Sequence, residues 1–203
     1  MSQSKVLVTE MDGTPKQIVF GDHAGDFLPT AANDLRDATS GNRTLVQLAA
    51  ASLANSTSES TGSIQSAKFD FGAVRAACYK VRCAFEIAAT PTANNYIEIH
   101  LSNSQSSTAA NGNEGGASGT AGAFTGYSSN IGASLKQCQY VGEFVCTSQA
   151  TPTVQVGKGG LVFPRERYGT LIIWNKSGAA LFTDDVEIHI VLDPIVDALQ
   201  AAA

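Results

Sequence analysis

CYKVRCAFEIA, residues 78–88, alternates with a period of two. Tyr79, Val81, Cys83, Phe85 and Ile87 fall on one side; Lys80, Arg82, Ala84 and Glu86 fall on the other. Successive side chains of an extended chain point to opposite faces, so this is a strand with one face in a core and one outside it. The same period governs most of the chain. TPTANN reads as a turn, and YIEIHLS (96–102) follows with Ile97, Ile99 and Leu101 inward, which makes 78–102 a hairpin. Upstream, SIQSAKFDFG (63–72) alternates with one irregularity at Ser66, and TLVQLAAASLA (44–54) reads as a strand running into a small-residue loop. Downstream come LKQCQYVGEFVCT (135–147), TVQVGKGGLVFP (153–164), TLIIWNKS (170–177) and DVEIHIVLDP (185–194), with turn residues between them. From Thr44 this gives about eight strands with a turn every ten or so residues. The fold class is all-β: an antiparallel β-sandwich, with a jelly roll as the preferred topology among the Greek keys.

Three segments depart from the pattern. KVLVTE (5–10), MDGT and PKQIVFG (15–21) read as a hairpin around Asp12-Gly13. Residues 21–43 carry no periodic apolar face, so 1–43 is expected to be a hairpin and extended arm, 44–194 the sandwich, and 195–203 a short tail. Residues 102–134 are almost wholly Gly, Ala, Ser, Thr and Asn, and on composition alone do not bury enough apolar area to offset their ordering entropy. Two readings stay open: a flexible surface loop, or a loop ordered by lying on a neighbouring subunit through Phe124, Tyr127 and Ile131. Arg165, Arg167 and Tyr168 crowd one turn with Glu166, which is either simply charged or a further interface contact.

Composition excludes several classes. The 203 residues are 43% hydrophobic but only 15% charged, with net charge −5 and pI about 5.1. The surface is therefore neutral and hydroxyl-rich, suited to lying against other protein. Lys and Arg are scattered, so nucleic acid is not an expected partner. No apolar run is long enough to cross a bilayer, and the N-terminus reads without an export signal, which makes the cytosol the expected site of synthesis. Cys78, Cys83, Cys138 and Cys146 lack metal or redox spacing and read as free thiols.

The tripeptide Glu-Ile-His occurs twice, at 98–100 and 187–189. Were the two strands neighbours, two carboxylates and two imidazoles could converge. In both, however, the flanking isoleucines and leucines take the core side and send Glu and His outward, and no third ligand is evident for a metal. A carboxylate pair could be sought in Glu86 and Glu98, on adjoining strands of the expected hairpin, but the register that sets Glu98 opposite Ala84 avoids opposing like charges, and no apolar pocket that would raise one carboxyl's pKa is legible. There is no GxSxG elbow; GKGG (157–160) lacks phosphate-loop spacing; Asp22, Asp26, Asp34 and Asp37 do not follow an EF-hand. No catalytic residue, metal or cofactor is assigned. A carbohydrate module would want an exposed aromatic in a groove, whereas Trp174, the single tryptophan, sits in an apolar strand.

The stretches QSAKFDFGAVRAACYKVRCAFEIAATPTANNYIEIHLSNSQSS, AFTGYSSNIGASLKQCQYVGEFVCT and FPRERYGTLIIWNKSGAALFTDDVEIHIVLDPIVD resemble a group of small structural proteins encoded among the head and tail genes of tailed bacteriophages. The resemblance covers roughly 44–197 and rests on block order, with GYSSN, RYG and EIHIVLDPIVD as its markers. It implies a non-enzymatic virion component made in the bacterial cytoplasm: a capsid decoration or cement protein, bound to the major capsid protein or other virion proteins and self-associating, for instance as a trimer. The runners-up are a tail, collar or head–tail connector component, or a receptor- or carbohydrate-binding module of the tail. The resemblance carries over no site residues.

Overall fold

The structure, a computed structural model, describes residues 15–23, 29–149, 153–184 and 186–195. The strands are β1 (Gln17–Gly21), β2 (Arg43–Gln47), β3 (Ser63–Gln65), β4 (Phe69–Asp70), β5 (Cys78–Glu86), β6 (Tyr96–Ser104), β7 (Gly122–Ala123), β8 (Gln139–Val145), β9 (Val154–Val162), β10 (Tyr168–Lys176) and β11 (His189–Ile195). Among the described residues, one short α-helix, α1 (Ile131–Leu135), precedes β8. One sheet runs β2-β1-β11-β5-β9 and the other β7-β3-β10-β6-β8, with β4 also on β10. All pairings are antiparallel except β1 with β2. The chain is an all-β sandwich.

Alternation places the core where the sequence puts it. Tyr79, Val81, Cys83, Phe85 and Ile87 are buried, facing Ile97, Ile99, Leu101, Leu171 and Ile173 of the opposite sheet. Each such burial contributes roughly 1.5–3 kcal/mol. Two edge-on aromatic pairs bridge the layers, Phe85 with Phe144 and Phe20 with Phe69, each 5.0 Å between centroids. The irregularity at Ser66 is the break between β3 and β4.

The expected hairpin of β5 and β6 does not form: β5 lies in one sheet and β6 in the other. The segment between them carries the chain across, and its backbone bonds go elsewhere. Ala88 N–H donates to the Ala180 carbonyl, Thr92 N–H to that of Ser177, and Ile87 bridges Leu181.

The N-terminal hairpin meets a similar obstacle. Its first strand lies outside the described residues, while β1 is buried with β11 on one edge and β2 on the other. Residues 17–21 therefore have no edge free for a hairpin partner. The described part of the expected arm belongs to the sandwich, and the tail beyond Ile195 lies outside the described residues.

Strands β8 and β9 end the two sheet orders and lie side by side without a ladder between them. Glutamine amides stand in for it. Gln155 donates to the Thr147 carbonyl and accepts from its N–H, both at 2.9 Å. Gln139, in the amide orientation that satisfies both groups, does the same for Phe163. Between them each strand bulges, leaving Val141 and Gly159 unpaired, and the two backbones touch at Gly142 and Gly160. Gly159 and Gly160 of GKGG form one side of that contact.

Candidate functional site

The two Glu-Ile-His triplets do not converge. Glu98 and His100 stand on β6; Glu187 and His189 stand at β11, in the other sheet, on the opposite outer face of the sandwich. Each outer face is covered in part by the chain itself, and both histidines lie beneath that cover.

Over β11 the cover is a strap, residues 29–37, seated on the strand's outward row. Thr30 N–H donates to Glu187 Oε1 at 2.9 Å, Leu35 N–H to His189 Nε2 at 3.1 Å, and Asp37 N–H to Gln17 Oε1 at 2.7 Å. The Leu35 carbonyl accepts from Gln17 and from Arg82, and Arg82 is itself clamped by Asp193. Leu35 also packs on Val19 and Val191. The acids expected to form a loose loop are held separately. Asp34 grips Arg36, Asp37 Oδ1 accepts from Thr39 N–H, and Asp22 accepts from Gln47; Asp26 lies outside the described residues.

His189 is fully buried, and its partners fix its tautomer. Nδ1–H donates to the Glu187 carbonyl at 2.9 Å, so Nε2 must be bare to accept from Leu35. Burial pushes its pKa below the ordinary 6.5, opposed by the Glu187 carbonyl and the Asp34 charge. The unfolded chain therefore takes up a proton that the folded one refuses. Stability is complete above about pH 6.5 and falls as pH drops toward the folded value, by at most about 1.4 kcal/mol per unit for this group. His23, likewise depressed by burial, adds a slope of the same sign. Denaturant titrations from pH 7.5 to 5 should show the decline. His189→Gln, whose amide oxygen accepts from Leu35 without titrating, should make the decline shallower while the contributions of His23 and the paired carboxylates remain; an unchanged slope in that variant would mean the imidazole does not hold the strap.

Over β6 and β10 the cover is the polar excursion, 105–138. It is ordered within the chain, by latches that composition hides. Lys68 Nζ sits among Ser104 Oγ and the carbonyls of Ser106, Thr108 and Asn111, at 2.7–3.0 Å. Glu114 Oε2 accepts from the Asn103 N–H and amide, and Gln65 pairs with Ser118. Phe124 and Ile131 are buried against Ala117, Leu135, Ile172 and Trp174. They are thus anchors of the excursion onto its own sheet, not exposed contacts for a neighbour. Tyr127 remains exposed at 55%. Arg165 and Arg167 are exposed and Tyr168 is half-buried. Arg167 is committed to a bidentate bond with Asp70, whose carboxyl it holds below the usual range, and lies 5.3 Å from the Tyr168 ring.

Between the excursion and β8 opens a cleft of about 650 Å³. Its floor is Glu98, His100, Trp174 and Lys176; α1 with Asn130 and Lys136, and Glu59, form one wall; Tyr140 is on the other side. Lys176 donates to Glu98 Oε1 at 2.7 Å while its ammonium lies 3.6 Å from the Trp174 ring centroid. His100 Nε2–H donates to Glu98 Oε2 at 3.2 Å. Burial opposes ionisation of Glu98, but these two donors outweigh it and keep its carboxyl below the usual range. The indole N–H of Trp174 is fixed on the Thr61 carbonyl.

Glu98 is held as a carboxylate and has no proton to give. His100 Nδ1 is buried without a hydrogen-bond partner. Glu86, whose pKa burial raises with help from Glu187 and Asp184, is in the opposite sheet, so Glu86 and Glu98 do not adjoin in either register a hairpin would allow. Glu98 instead lies opposite Glu143, a like-charge pairing relieved by Lys176 and by the Tyr140 hydroxyl on Glu143. Burial lifts the Cys138 thiol to about 12 and Cys146 to about 11, far from a thiolate nucleophile. Among the described residues no three His, Cys, Asp or Glu side chains group as metal ligands, and no helix is long and apolar enough to cross a membrane.

Lys68 and Leu35 escaped the sequence reading because their roles depend on segments with no period. Tyr140 could have been noticed: QYVGEFV alternates, and its outward members are Tyr140, Glu143 and Val145, interrupted by the bulge. Comparison with protein-family models, curated proteins and solved structures found no match to the chain.

Proposed function

We propose that this chain is a non-enzymatic structural protein of a tailed-bacteriophage virion, a decoration or cement protein that stabilises the head lattice, and that its sandwich is wound as a jelly roll. The winding is supported by nested pairings: β1 with β11, β3 with β10, β5 with β9 and β6 with β8, like one long hairpin rolled across two sheets. The observation that carries the structural role is where apolar side chains meet solvent. Of eight exposed large hydrophobics among the described residues, Val145, Val156 and Leu161 stand on β8 and β9, and Phe163 directly follows β9. Such a concentration on a weakly charged surface fits a subunit that packs against the major capsid protein or further copies of itself.

The test is location and lattice strength. Gold-labelled antibody to this protein should decorate the heads of purified particles of the phage that encodes it, and particles lacking it should break at lower temperature. Val156→Lys with Phe163→Asp should leave the isolated protein folded yet reduce its copies per particle several-fold. Label confined to the tail or neck would move the reading to a tail, collar or connector component. Absence from purified particles would end it.

A further inference from the structure

We propose that the cleft beside Tyr140 binds a neutral saccharide. The inference stands on the geometry of the cleft and does not depend on the virion reading.

Charge is the first argument. The lining carries two carboxylates, Glu59 and Glu98, and two ammonium groups, Lys136 and Lys176, so its formal charges cancel. Lys176 is already bonded to Glu98, and its charge is partly spent on Trp174. A phosphate or sulfate ligand would have to compete with a carboxylate at 2.7 Å for that ammonium. A cationic ligand would face Lys176 and Lys136. A ligand without net charge meets neither penalty.

The second argument is the pattern of donors and acceptors. Glu98 accepts one bond on each oxygen and retains a lone pair on each. Lys176 has further donor protons, and the Asn130 and Lys136 side chains stand on the adjacent wall. Strong acceptors next to strong donors, with both kept partly accessible, suit vicinal hydroxyls, which donate and accept at once. Glu98 and Lys176 are 15% and 28% exposed at the side chain, enough to be touched but not enough to move freely.

The third is the aromatic. Tyr140 is 53% exposed, yet its ring is fixed: the hydroxyl donates to Glu143 Oε1 at 2.8 Å, and His100 packs edge-on at 5.3 Å between centroids. A rigid aromatic face beside a polar floor is suited to the C–H face of a pyranose. Because the floor is held before any ligand arrives, little ordering is left for binding to oppose.

The isotope-labelled protein can be titrated with neutral hexasaccharides of glucose, mannose and N-acetylglucosamine, with sialyllactose and a heparin-derived hexasaccharide as anionic comparators. At least one neutral sugar should shift the Tyr140 and Asn130–Lys136 amides and the Trp174 indole N–H. Tyr140→Ala and Lys136→Ala, both at exposed positions, should each weaken that binding about tenfold while the protein stays folded. No shifts with any neutral sugar, shifts elsewhere on the surface, binding confined to the anionic sugars, or undiminished binding by Tyr140→Ala would each overturn the proposal.

Discussion

Replacing Phe124 with alanine is expected to destabilise the protein by about 3–5 kcal/mol and to make residues 105–130 the first site of attack by a broad-specificity protease. The isolated wild-type protein should resist cleavage there. Phe124 is 2% exposed and fills the centre of a small second core with Ile131, Leu135, Ile172 and Trp174. It is also stitched to the sheet by backbone: its carbonyl accepts from Ser63 Oγ at 2.6 Å, and its N–H donates to the Ser63 carbonyl. Truncation empties the one apolar site that secures a segment otherwise held by hydrogen bonds. Two readings of this segment divide on the outcome. If the excursion were ordered only by a neighbouring subunit, the wild type alone would be cut as fast as the variant. If it is ordered by its own sheet, only Phe124→Ala is cut quickly, and mass spectrometry of the first fragments places the cuts between 105 and 130.

The excursion also shows where sequence reasoning stops. Alternation in 78–88 told which side chains face the core, and every one of them does. It did not tell which sheet the strand joins, because period two is a property of one strand, whereas sheet membership depends on where the connection finds hydrogen-bond partners. TPTANN looks like a hairpin turn and is a crossing, since Thr92 bonds to Ser177 while Asn94 and Asn95 bond to Cys146. The excursion was misjudged for a related reason. Counting apolar residues in 102–134 measures what hydrophobic burial can supply, but Lys68, Gln65 and Ser63 on the covered face supply bonds that no count over that segment contains. Likewise the outward placing of Glu and His in both triplets was legible, and their covering was not. The strap and the excursion have no periodicity, so nothing in their sequence names the row of side chains each sits on. The cleft follows from that second covering, as the space between a segment with no period and the edge strand β8.

Gly160→Ala is expected to be among the most damaging single changes, destabilising the fold by roughly 4 kcal/mol or more and lowering the soluble yield. Two independent costs coincide. Gly160 has φ +116°, a conformation that strains any residue with a Cβ by roughly 1–3 kcal/mol. The added Cβ would also lie 2.2 Å from the carbonyl oxygen of Val141 and 3.2 Å from Gly142 Cα, so the obstacle is backbone rather than a side chain that could swing aside. Relief requires β8 and β9 to separate. That would pull Gln155 from Thr147 and Gln139 from Phe163, and open the edge of the core at Phe144. Against a typical total stability of about 5–15 kcal/mol, such a loss leaves little margin. Gly41 is the control, because it has no atom within 4 Å of an added Cβ and no positive φ. Gly41→Ala should unfold within about 0.5 kcal/mol of wild type. If Gly160→Ala unfolded at the same denaturant concentration as Gly41→Ala, the two strands would not be in backbone contact, and the closure of the sandwich along this seam would need another explanation.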